Sequence, residues 1–454
     1  MEPEEPGSVP VHLVRPDACP TLLSHLGARA AKFADRAAFA AERGQSVRLL
    51  SPDGALEAVV IGLGPTSGVM SLRSHAASLP PGRYAIASLP EDVRAADAAL
   101  AWSLGAYRFD LYRAERSQGA RLDPNVHESG RAEILAAACA ETRDMINTPA
   151  NDMGPAEIEA RTRDIAARHG ATLEVSAGEA LLSTGYPAIH AVGRAATPDR
   201  APRMLEMSWG QSDAPLIVLI GKGVVFDSGG LDIKPSAGMR WMKKDMGGPA
   251  HALGLASMIM GLASPVRLVV LLPIAENAIS GAAMRPGDVL QTRKGLTIEV
   301  GNTDAEGRLI LADAMTRAAE LAPALTIDLA TLTGAARIAL GPEVTPFYTD
   351  DDALAAELEA ASRTVEDPLW RMPLWNGYSS ALDSDLADIK NDADPWAQAG
   401  SITAALFLKR FAPAGPWVHF DIFAWNGRPR PGWPQGAEVQ AIRALLAVIE
   451  ARYR

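Results

Sequence analysis

Short hydrophobic runs alternate with helix-like segments along the last two thirds of the chain. Three of these runs, at 216–220, 266–274 and 325–329, are mainly apolar and predict buried strands. Segments rich in Ala, Leu and Met at 248–262 and 310–321 predict helices between them. Near-continuous apolar strands that alternate with helices are typical of a sheet covered on both faces. The pattern therefore predicts an α/β domain with a central mixed sheet flanked by helices.

The N-terminal part predicts a second, smaller mixed α/β domain. Its predicted elements are a helical segment at 22–41, strands at 46–50, 58–63 and 83–89, and a helix at 91–112. We expect residues 1–12 to form a frayed arm and the polar stretch at 118–128 to contain the domain boundary. A chain of 454 residues also exceeds the usual size of one domain. We therefore predict an N-terminal domain at 1–125 and a larger C-terminal domain at 126–454.

Charge and cysteine content restrict the class of protein. A net charge of −11 and a pI near 5.3 argue against non-specific binding to nucleic acids or acidic membranes. The longest weakly polar stretch, 252–266, is too short to span a bilayer, and no secretory signal is recognisable. Cys19 and Cys139 are the two cysteines, which favours a reducing compartment without a disulfide framework. We expect a cytoplasmic protein with neither membrane nor nucleic-acid partners.

Candidate chemistry is concentrated in the octapeptide 302–309 (NTDAEGRL), between an alternating strand pattern at 296–300 and a predicted helix. In α/β folds such strand-to-helix turns lie where sites form. Asp304 and Glu306 are two residues apart and, in near-extended chain, present both carboxylates to one side. Arg308 falls in the first helical turn, where a cation opposes the helix dipole unless an anion lies nearby. Taken alone, the two acids would equally suit a solvated turn at a helix N-terminus.

A second cluster precedes it, at 221–230 (GKGVVFDSGG) and 241–248 (WMKKDMGG). Lys222 lies at the end of an apolar strand, so its charge must be balanced locally, or its nitrogen must bind a metal in the neutral form. The cluster is not a phosphate-binding loop, because the required flanking glycine and Ser or Thr are absent. Paired-histidine and paired-cysteine zinc signatures are also absent. We expect neither His251 nor His419 to bind a metal.

Together these motifs resemble the leucyl aminopeptidase family, the M17 group of dinuclear metallo-exopeptidases. Further matching motifs are 147–153 (NTPANDM), 275–277 (AEN), 285–289 (RPGDV), 331–335 (TLTGA), 400–405 (GSITAA) and 417–421 (WVHFD). The resemblance spans roughly 140–425. Over the first 125 residues it is weak and confined mainly to the helix that contains 105–109 (GAYRF).

The resemblance implies a site with two divalent ions. Its ligands would be Lys222, Asp227, Asp245, Asp304 and Glu306, with Asp227 and Glu306 each bridging both ions. Lys222 and Asp245 would bind one ion, and Asp304 the other. Four carboxylates balance two divalent ions if Lys222 is neutral, and the oxygen-rich ligands suit Mn²⁺, Zn²⁺ or possibly Mg²⁺.

The same resemblance implies how the residues would act. A hydroxide bridging the two ions would attack the first peptide bond, one ion would bind the free α-amine, and Lys234 would donate to the oxyanion. Arg308 would hold a bicarbonate that relays the proton. The implied protein is a homohexamer that removes N-terminal residues from small peptides.

The family's substrate pocket corresponds to Met242, Thr331, Leu332 and Gly334. The chain departs from the family pattern at 421–426, which lacks the usual glycine-bearing turn, and at 434–440. Both segments belong to the region that forms the side-chain pocket in the family. The resemblance therefore does not imply a preference for leucine, and the sequence does not predict the preferred N-terminal residue.

Two other functions are open at this point. A non-catalytic homologue could keep the fold for binding or scaffolding, although such a protein has no need of five ligands together with Lys234 and Arg308. A metal-dependent phosphoryl-transfer enzyme would also use clustered acids. It predicts a phosphate-cradling loop, and none is recognisable.

Overall fold

The computed structural model describes residues 7–66, 68–114, 119–123 and 129–454. The chain divides into two compact units. One contains residues 1–140 and 426–435, and the other contains residues 141–425 and 436–454. The predicted boundary between residues 125 and 126 falls at 124–128, outside the described residues, and stays a prediction.

The first unit is built on a five-stranded, mostly parallel sheet. Its strands are β1 Val9–Val14, β2 Ser46–Leu50, β3 Leu56–Gly62, β4 Gly82–Ser88 and β5 Ala120–Leu122, and its helices are α1 Cys19–Leu26, α2 Ala28–Arg36, α3 Leu72–Ser78 and α4 Ala95–Ala106. The strand order is β2-β3-β1-β4-β5.

The predicted N-terminal arm is wrong over residues 9–12, and residues 1–6 lie outside the described residues. β1 is the central strand of the first sheet and pairs in parallel with β3 and β4. Val11, Leu13 and Val14 are buried in this strand, and His12 between them is partly exposed. The acidic residues that suggested an arm all precede the strand.

The second unit contains the larger sheet. The remaining strands are β6 Thr172–Ala177, β7 Arg203–Trp209, β8 Leu216–Gly221, β9 Gly223–Asp227, β10 Arg267–Asn277, β11 Val289–Gln291, β12 Thr297–Glu299, β13 Leu325–Ala330, β14 Thr345–Tyr348, β15 Leu369–Arg371, β16 Ile389–Lys390, β17 Trp417–Asp421, β18 Trp425–Asn426 and β19 Gly436–Ala437. The remaining α-helices are α5 Ser129–Asn147, α6 Pro155–His169, α7 Ala180–Ser183, α8 Pro187–Gly193, α9 Ser236–Met239, α10 Gly247–Gly261, α11 Gly307–Glu320, α12 Gly334–Leu340, α13 Asp352–Thr364, α14 Gly400–Lys409 and α15 Ile442–Arg452.

The predicted fold class is confirmed. Eight strands of the main sheet follow the order β15-β14-β17-β13-β8-β10-β7-β6, β9 also pairs with β10, and the pairings are both parallel and antiparallel. Helices flank the sheet, with α10 against β8 and β13 and α11 against β10. The three predicted apolar strands are β8, β10 and β13, and their interior side chains are buried. Burial of each large aliphatic side chain contributes about 1.5–3 kcal/mol.

Parallel pairing brings several loops to one edge of this sheet. β8 is parallel to β10 and β13, β13 is parallel to β17, and β9 is parallel to β10. Their carboxyl ends therefore face the same side, which is where sites form in α/β sheets. β12, however, pairs with β11 and β16 in a separate small sheet. The candidate octapeptide thus follows a strand outside the main sheet, contrary to the simplest interpretation of its pattern.

Within the described ranges, every helix is too short or too polar to cross a bilayer.

Candidate metal centre

Three buried carboxylates converge at the carboxyl edge of the main sheet. Oxygen atoms of Asp227, Asp245 and Glu306 lie within 4.8 Å of one another. Asp227 ends β9, Asp245 lies in the 3₁₀ turn Met242–Met246, and Glu306 directly precedes α11. All three side chains are almost inaccessible to solvent. Such a set of hard oxygen donors is a candidate site for a divalent cation.

Lys222 closes one side of this cluster. Its Nζ donates to Asp245 Oδ2 at 2.6 Å and to the carbonyl oxygen of Thr331 at 3.0 Å, and it lies 3.4 Å from Glu306 Oε1. Burial alone would lower the pKa of Lys222, but the charges of these carboxylates outweigh burial and raise it. Without a metal, Lys222 is therefore a buried ammonium held by the carboxylates that the sequence assigned to the same ion.

Lys234 closes the other side. Its Nζ lies 2.8 Å from Asp227 Oδ2 and forms an ion pair with Asp304. Burial opposes the charge of Lys234, yet Asp227 and Glu306 raise its pKa overall. The ion pair also connects Asp304, which is only partly buried, to the three converging carboxylates.

Two acids in the cluster hold protons more tightly than usual. Burial, followed by repulsion from Asp227, raises the pKa of Glu306 well above its ordinary value. The same two causes raise the pKa of Asp304 to about 6. Burial of the two acids and repulsion between the carboxylates together outweigh the charges of the two lysines. A divalent cation would relieve this repulsion, so the donor set fits the metal that the resemblance implies.

Close packing around Lys222 requires glycine. A Cβ atom added to Gly307 would lie 2.3 Å from Lys222 Cε, and one added to Gly248 would lie 2.4 Å from both Lys222 N and Leu329 O. Both distances are far below van der Waals contact, so larger side chains at these helix starts would displace the lysine. Glycine at the first position of α11 and near the start of α10 thus allows Glu306 and Asp245 to approach Lys222.

The turn that carries Asp304 and Glu306 is not extended, contrary to the sequence interpretation. Thr303 and Asp304 form a tight turn, and Glu306 has φ −76° and ψ −31°, which are helical values. The turn is held by Asn391, a buried residue that the sequence analysis did not single out. Asn391 Oδ1 accepts from the backbone N–H groups of residues 301 and 302, and its Nδ2 donates to the carbonyls of residues 302 and 305.

Other polar side chains fix the neighbouring ligands. Asn277 Nδ2 donates to Asp227 Oδ1 at 2.9 Å and to the carbonyl of Thr303 at 3.1 Å. Asp232 accepts from the backbone N–H of Thr303 at 2.7 Å. These bonds join the loop after β9 to the loop before α11. Asn277 lay in a motif that the sequence analysis quoted, but its residue type did not indicate this role.

Arg308 extends into the cavity beside the cluster with part of its guanidinium unpaired. Its Nη1 donates to the carbonyl oxygen of Asn391 at 2.7 Å. Its Nε is buried and has no hydrogen-bond partner in the part of the chain that the structure describes. Burial lowers the pKa of Arg308 from its ordinary value. An oxyanion accepting from Nε would satisfy the group, which fits the bicarbonate that the resemblance implies.

The cluster opens into one cavity of about 1080 Å³. The cavity is lined by all the predicted metal and catalytic residues and by the four predicted pocket residues, Met242, Thr331, Leu332 and Gly334. The Thr331 hydroxyl is turned towards the cluster, where it donates to Asp245 Oδ1 at 2.7 Å. Thr331 therefore orients a carboxylate as well as forming part of the wall. The structure thus brings every predicted site residue to one cavity.

One corner of the cavity contains residues that the sequence analysis gave no role. Lys244 Nζ lies 4.5 Å from the centroid of the Phe423 ring, and Arg337 Cζ lies 5.4 Å from the same centroid. Burial lowers the pKa of Lys244 to about 8. The only sign in the sequence was the pair of consecutive lysines, Lys243 and Lys244, directly before the predicted ligand Asp245. Nothing in the sequence placed Phe423 or Arg337 beside them.

The loop that carries Phe423 replaces the family's glycine-bearing turn. Ala424 adopts φ +58° without glycine, a conformation that is unfavourable for a side chain. Gln440 stabilises it, because its Oε1 accepts from the backbone N–H groups of Phe423 and Ala424 at 2.9 and 2.7 Å. The two segments that depart from the family pattern are therefore joined to each other, and together they fix one wall of the cavity.

Comparison with known proteins gives the same assignment. The profile of the cytosol aminopeptidase catalytic domain matches residues 140–446, and that of the M17 aminopeptidase N-terminal domain matches residues 9–123. A probable cytosol aminopeptidase from Syntrophotalea carbinolica is 41% identical over 366 residues, covering 76% of this chain and 73% of the relative.

Solved structures are similar over nearly the whole chain. The cytosol aminopeptidase from Coxiella burnetii has a TM-score of 0.91 and 42% identity, covering 99% of this chain and 98% of that one. The bottromycin maturation enzyme BotP, in complex with Mn, has a TM-score of 0.88 and 34% identity, covering 99% and 100%. The resemblance inferred from the motifs is confirmed, and the chain belongs to the cytosol aminopeptidase family.

Proposed function

We propose that this protein is a metal-dependent aminopeptidase that releases N-terminal residues from small peptides by a two-metal hydrolytic mechanism. Membership of the cytosol aminopeptidase family supports the hydrolase class. The observation that carries the proposal is the convergence of Asp227, Asp245 and Glu306 in a buried cluster that opens into the large cavity. Catalysis is assigned to the C-terminal domain proposed at 126–454.

The five proposed ligands are Lys222, Asp227, Asp245, Asp304 and Glu306, and we propose two ions for each chain. Four carboxylates balance two divalent ions if Lys222 is neutral, and burial together with repulsion from Asp227 keeps the pKa values of Asp304 and Glu306 raised despite the two lysines. A Mn complex of the related BotP supports Mn²⁺, and oxygen ligands also accept Zn²⁺ or Mg²⁺. When bound, two such ions would supply an activated water molecule and polarise the scissile carbonyl.

Lys234 and Arg308 are the proposed catalytic pair. Lys234 forms ion pairs with Asp227 and Asp304, so cation binding by these carboxylates would free its ammonium to donate to the developing oxyanion. Preorganised donors of this kind contribute several kcal/mol to transition-state stabilisation. Arg308 would hold bicarbonate through its unpaired Nε, and the bound anion would carry the proton. Met242, Thr331, Leu332 and Gly334 would contact the first residue of the peptide.

Two further properties are proposed from the family alone. One is a homohexamer with active sites facing an interior cavity. The other is a cytoplasmic location, in keeping with relatives that are named cytosol aminopeptidases.

The function is tested by removing the metal and restoring it. We would chelate the protein, add Mn²⁺, Zn²⁺, Mg²⁺ or Co²⁺ singly, and measure hydrolysis of aminoacyl-p-nitroanilides and dipeptides. We expect metal-restored cleavage that requires a free α-amine, so N-acetylated versions of the same substrates should not react. Hydrolysis of a phosphate monoester but of no peptide would favour phosphoryl transfer instead. Binding of two ions without turnover of any substrate would favour a non-catalytic family member.

A further inference from the structure

One corner of the cavity holds two cations without an anionic partner. It is formed by Lys244, Arg337 and Phe423, and we call it the cationic corner. Lys244 is only 6% exposed. Over residues 7–66, 68–114, 119–123 and 129–454, neither the Lys244 ammonium nor the Arg337 guanidinium forms an ion pair or a hydrogen bond. Both cations lie near the aromatic ring of Phe423.

The Lys244 side chain is buried, but its ammonium lines the cavity and has no acceptor within the described residues. A largely desolvated ammonium is stabilised by an acceptor of its own. An aromatic ring supplies only part of that stabilisation. Lys222, by contrast, is equally buried but donates to a carboxylate and to a carbonyl. The difference indicates that Lys244 receives its missing acceptor from a molecule bound in the cavity. A carboxylate is the acceptor that an ammonium and a guanidinium can share most strongly.

We propose that the cationic corner binds the side-chain carboxylate of an acidic residue at the N-terminus of the peptide. This inference rests on the proposed aminopeptidase function. Lys244 directly precedes the proposed ligand Asp245, and the cationic corner and the metal cluster share one cavity. A residue whose amine and carbonyl lie at the cluster would extend its side chain towards this wall. The methylene groups of glutamate would pack against Met242 and Phe423.

The sharpest test compares substrates that differ only in charge. With the Mn²⁺-loaded protein, we would measure kcat/KM for Glu-Ala-amide and Gln-Ala-amide, and for Ala-Glu-amide and Ala-Gln-amide. We expect about a 10- to 100-fold preference for Glu over Gln at the first position, the range for hydrogen bonds to charged groups. No such preference is expected at the second position. Equal rates for Glu and Gln at the first position would overturn the proposal, as would a preference confined to the second.

A third pair separates the side chain from the other carboxylate that a short peptide offers. Ala-Ala and Ala-Ala-amide differ only at the C-terminus. A large preference for the free acid, with no preference for Glu over Gln, would assign the cationic corner to the terminal carboxylate and overturn the proposal.

Variants identify the residues responsible. Lys244→Met should bring the Glu/Gln ratio of kcat/KM close to one, whereas Lys32→Met, which removes the same charge from an exposed position, should leave the ratio unchanged. Arg337→Gln is a second variant at an exposed position, and it should lower the ratio less. A ratio of two values from one preparation is insensitive to partial loss of folded protein. An unchanged ratio in both cavity variants would contradict the assignment.

A binding measurement keeps this inference separate from the proposed function. Calorimetric titration of the metal-loaded protein with glutamic acid α-amide and with glutamine α-amide requires no turnover. Tighter binding of the acidic amide in a protein that cleaves no peptide would retain the cationic corner and reject the aminopeptidase. Cleavage of peptides together with equal binding of the two amides would retain the aminopeptidase and reject the cationic corner as a carboxylate site.

Discussion

Two groups of charges line the same cavity, and they are balanced in opposite ways. In the carboxylate cluster, Lys222 and Lys234 pair with carboxylates that outnumber them, so negative charge is in excess. In the cationic corner, the buried Lys244 and the exposed Arg337 form no ion pair within the described residues, and both lie near the Phe423 ring. A ligand of the opposite charge would balance the excess charge of each group. One cavity thus contains a place for cations and a place for an anion.

The difference also shows what makes a buried charge interpretable. Lys222 and Lys244 are similarly buried, yet the carboxylates around Lys222 raise its pKa, whereas burial lowers the pKa of Lys244. Burial alone therefore does not distinguish a structural charge from one that awaits a ligand. The partners of each charge decide the question, and the predictions below change those partners.

The largest expected effect is loss of metal binding in Glu306→Gln. Glutamine resembles the protonated acid that burial favours in the metal-free protein, so the melting temperature of the chelated variant should stay close to that of the wild type. Its activity should be abolished, because a neutral amide is a poor ligand for a divalent ion. Stabilisation by added Mn²⁺, about 2.7 kcal/mol when the ion is at 100 times its Kd, should also disappear.

Calorimetry with and without Mn²⁺ tests this prediction, and Glu42→Gln at an exposed position is the matched control. A Glu306→Gln variant that is still stabilised by Mn²⁺ to the wild-type extent would exclude Glu306 as a ligand.

The next largest effect is expected for Lys234→Met, which removes the proposed oxyanion donor. We expect kcat to fall by about 10²- to 10³-fold, the usual loss for one preorganised donor. Metal affinity should be unchanged or higher, because the variant leaves Asp227 and Asp304 without their cationic partner. Steady-state kinetics together with metal titration separates the two effects. A kcat within a few-fold of the wild-type value would remove Lys234 from the catalytic assignment.

A buried histidine shows how a titratable group behaves when both of its nitrogens have partners. His251 Nδ1 lies 2.7 Å from the carbonyl of Gly247, and its Nε2 accepts from the backbone N–H of Gln440 at 3.1 Å. Burial lowers the pKa of His251 from 6.5 to about 4. In the unfolded chain, His251 therefore binds a proton below pH 6.5, whereas in the folded protein it binds one only below about pH 4. The contribution of His251 to the free energy of unfolding is therefore fully present above pH 6.5 and is lost as the pH falls from 6.5 to about 4.

The loss from His251 should be about 3 kcal/mol, since each unit of pKa difference corresponds to about 1.4 kcal/mol. Urea unfolding at pH 7.5 and pH 4.5 measures it. His251→Gln should unfold with a smaller difference between the two pH values than the wild type, while His25→Gln, at an exposed position, should match the wild type. An identical pH dependence in the wild type and His251→Gln would show that the folded protein accepts the proton at this site.

Much of the fold and the candidate site could be predicted from local sequence. The apolar runs of β8, β10 and β13 identify the central strands of the main sheet, because strands buried on both faces consist mainly of apolar residues. Arg308 was predicted to need an anion from its position in a helix, and its Nε is unpaired in the structure. These conclusions depend on residues that are close together in the chain, because hydrophobic periodicity and the helix dipole are both local properties of the sequence.

The rest depends on contacts between distant segments. Asn391 holds the backbone of Gly301 from 90 residues away, and an isolated asparagine gives no sign of such a partner. The cationic corner likewise needs a 3₁₀ turn, helix α12 and the loop at Phe423 to meet, although Lys244 itself stood in a recognised motif. β1 was missed for another reason, because the acidic residues before it dominated the interpretation of the N-terminus. In each of these cases the structure depends on contacts with residues that are distant in the sequence.

The smallest activity change is expected for Asn391→Ala, which touches neither group of charges directly. The side-chain amide of Asn391 makes four hydrogen bonds to the turn that carries Asp304 and Glu306. The backbone carbonyl of Asn391 accepts a hydrogen bond from Arg308. Removal of the side-chain amide should loosen the turn without removing a ligand. We expect metal affinity to fall by about 10- to 100-fold, as is usual when a group that orients ligands is lost.

Excess metal distinguishes this role from a catalytic one. Saturating Mn²⁺ should restore kcat/KM in Asn391→Ala to within a few-fold of the wild-type value, whereas it should not rescue Lys234→Met. Asn376→Ala, at an exposed position, is the control for loss of an asparagine. A deficit in Asn391→Ala that persists at saturating metal would mean that the asparagine acts through Arg308 rather than through the ligands, because the carbonyl oxygen that accepts from Arg308 moves with the same loop.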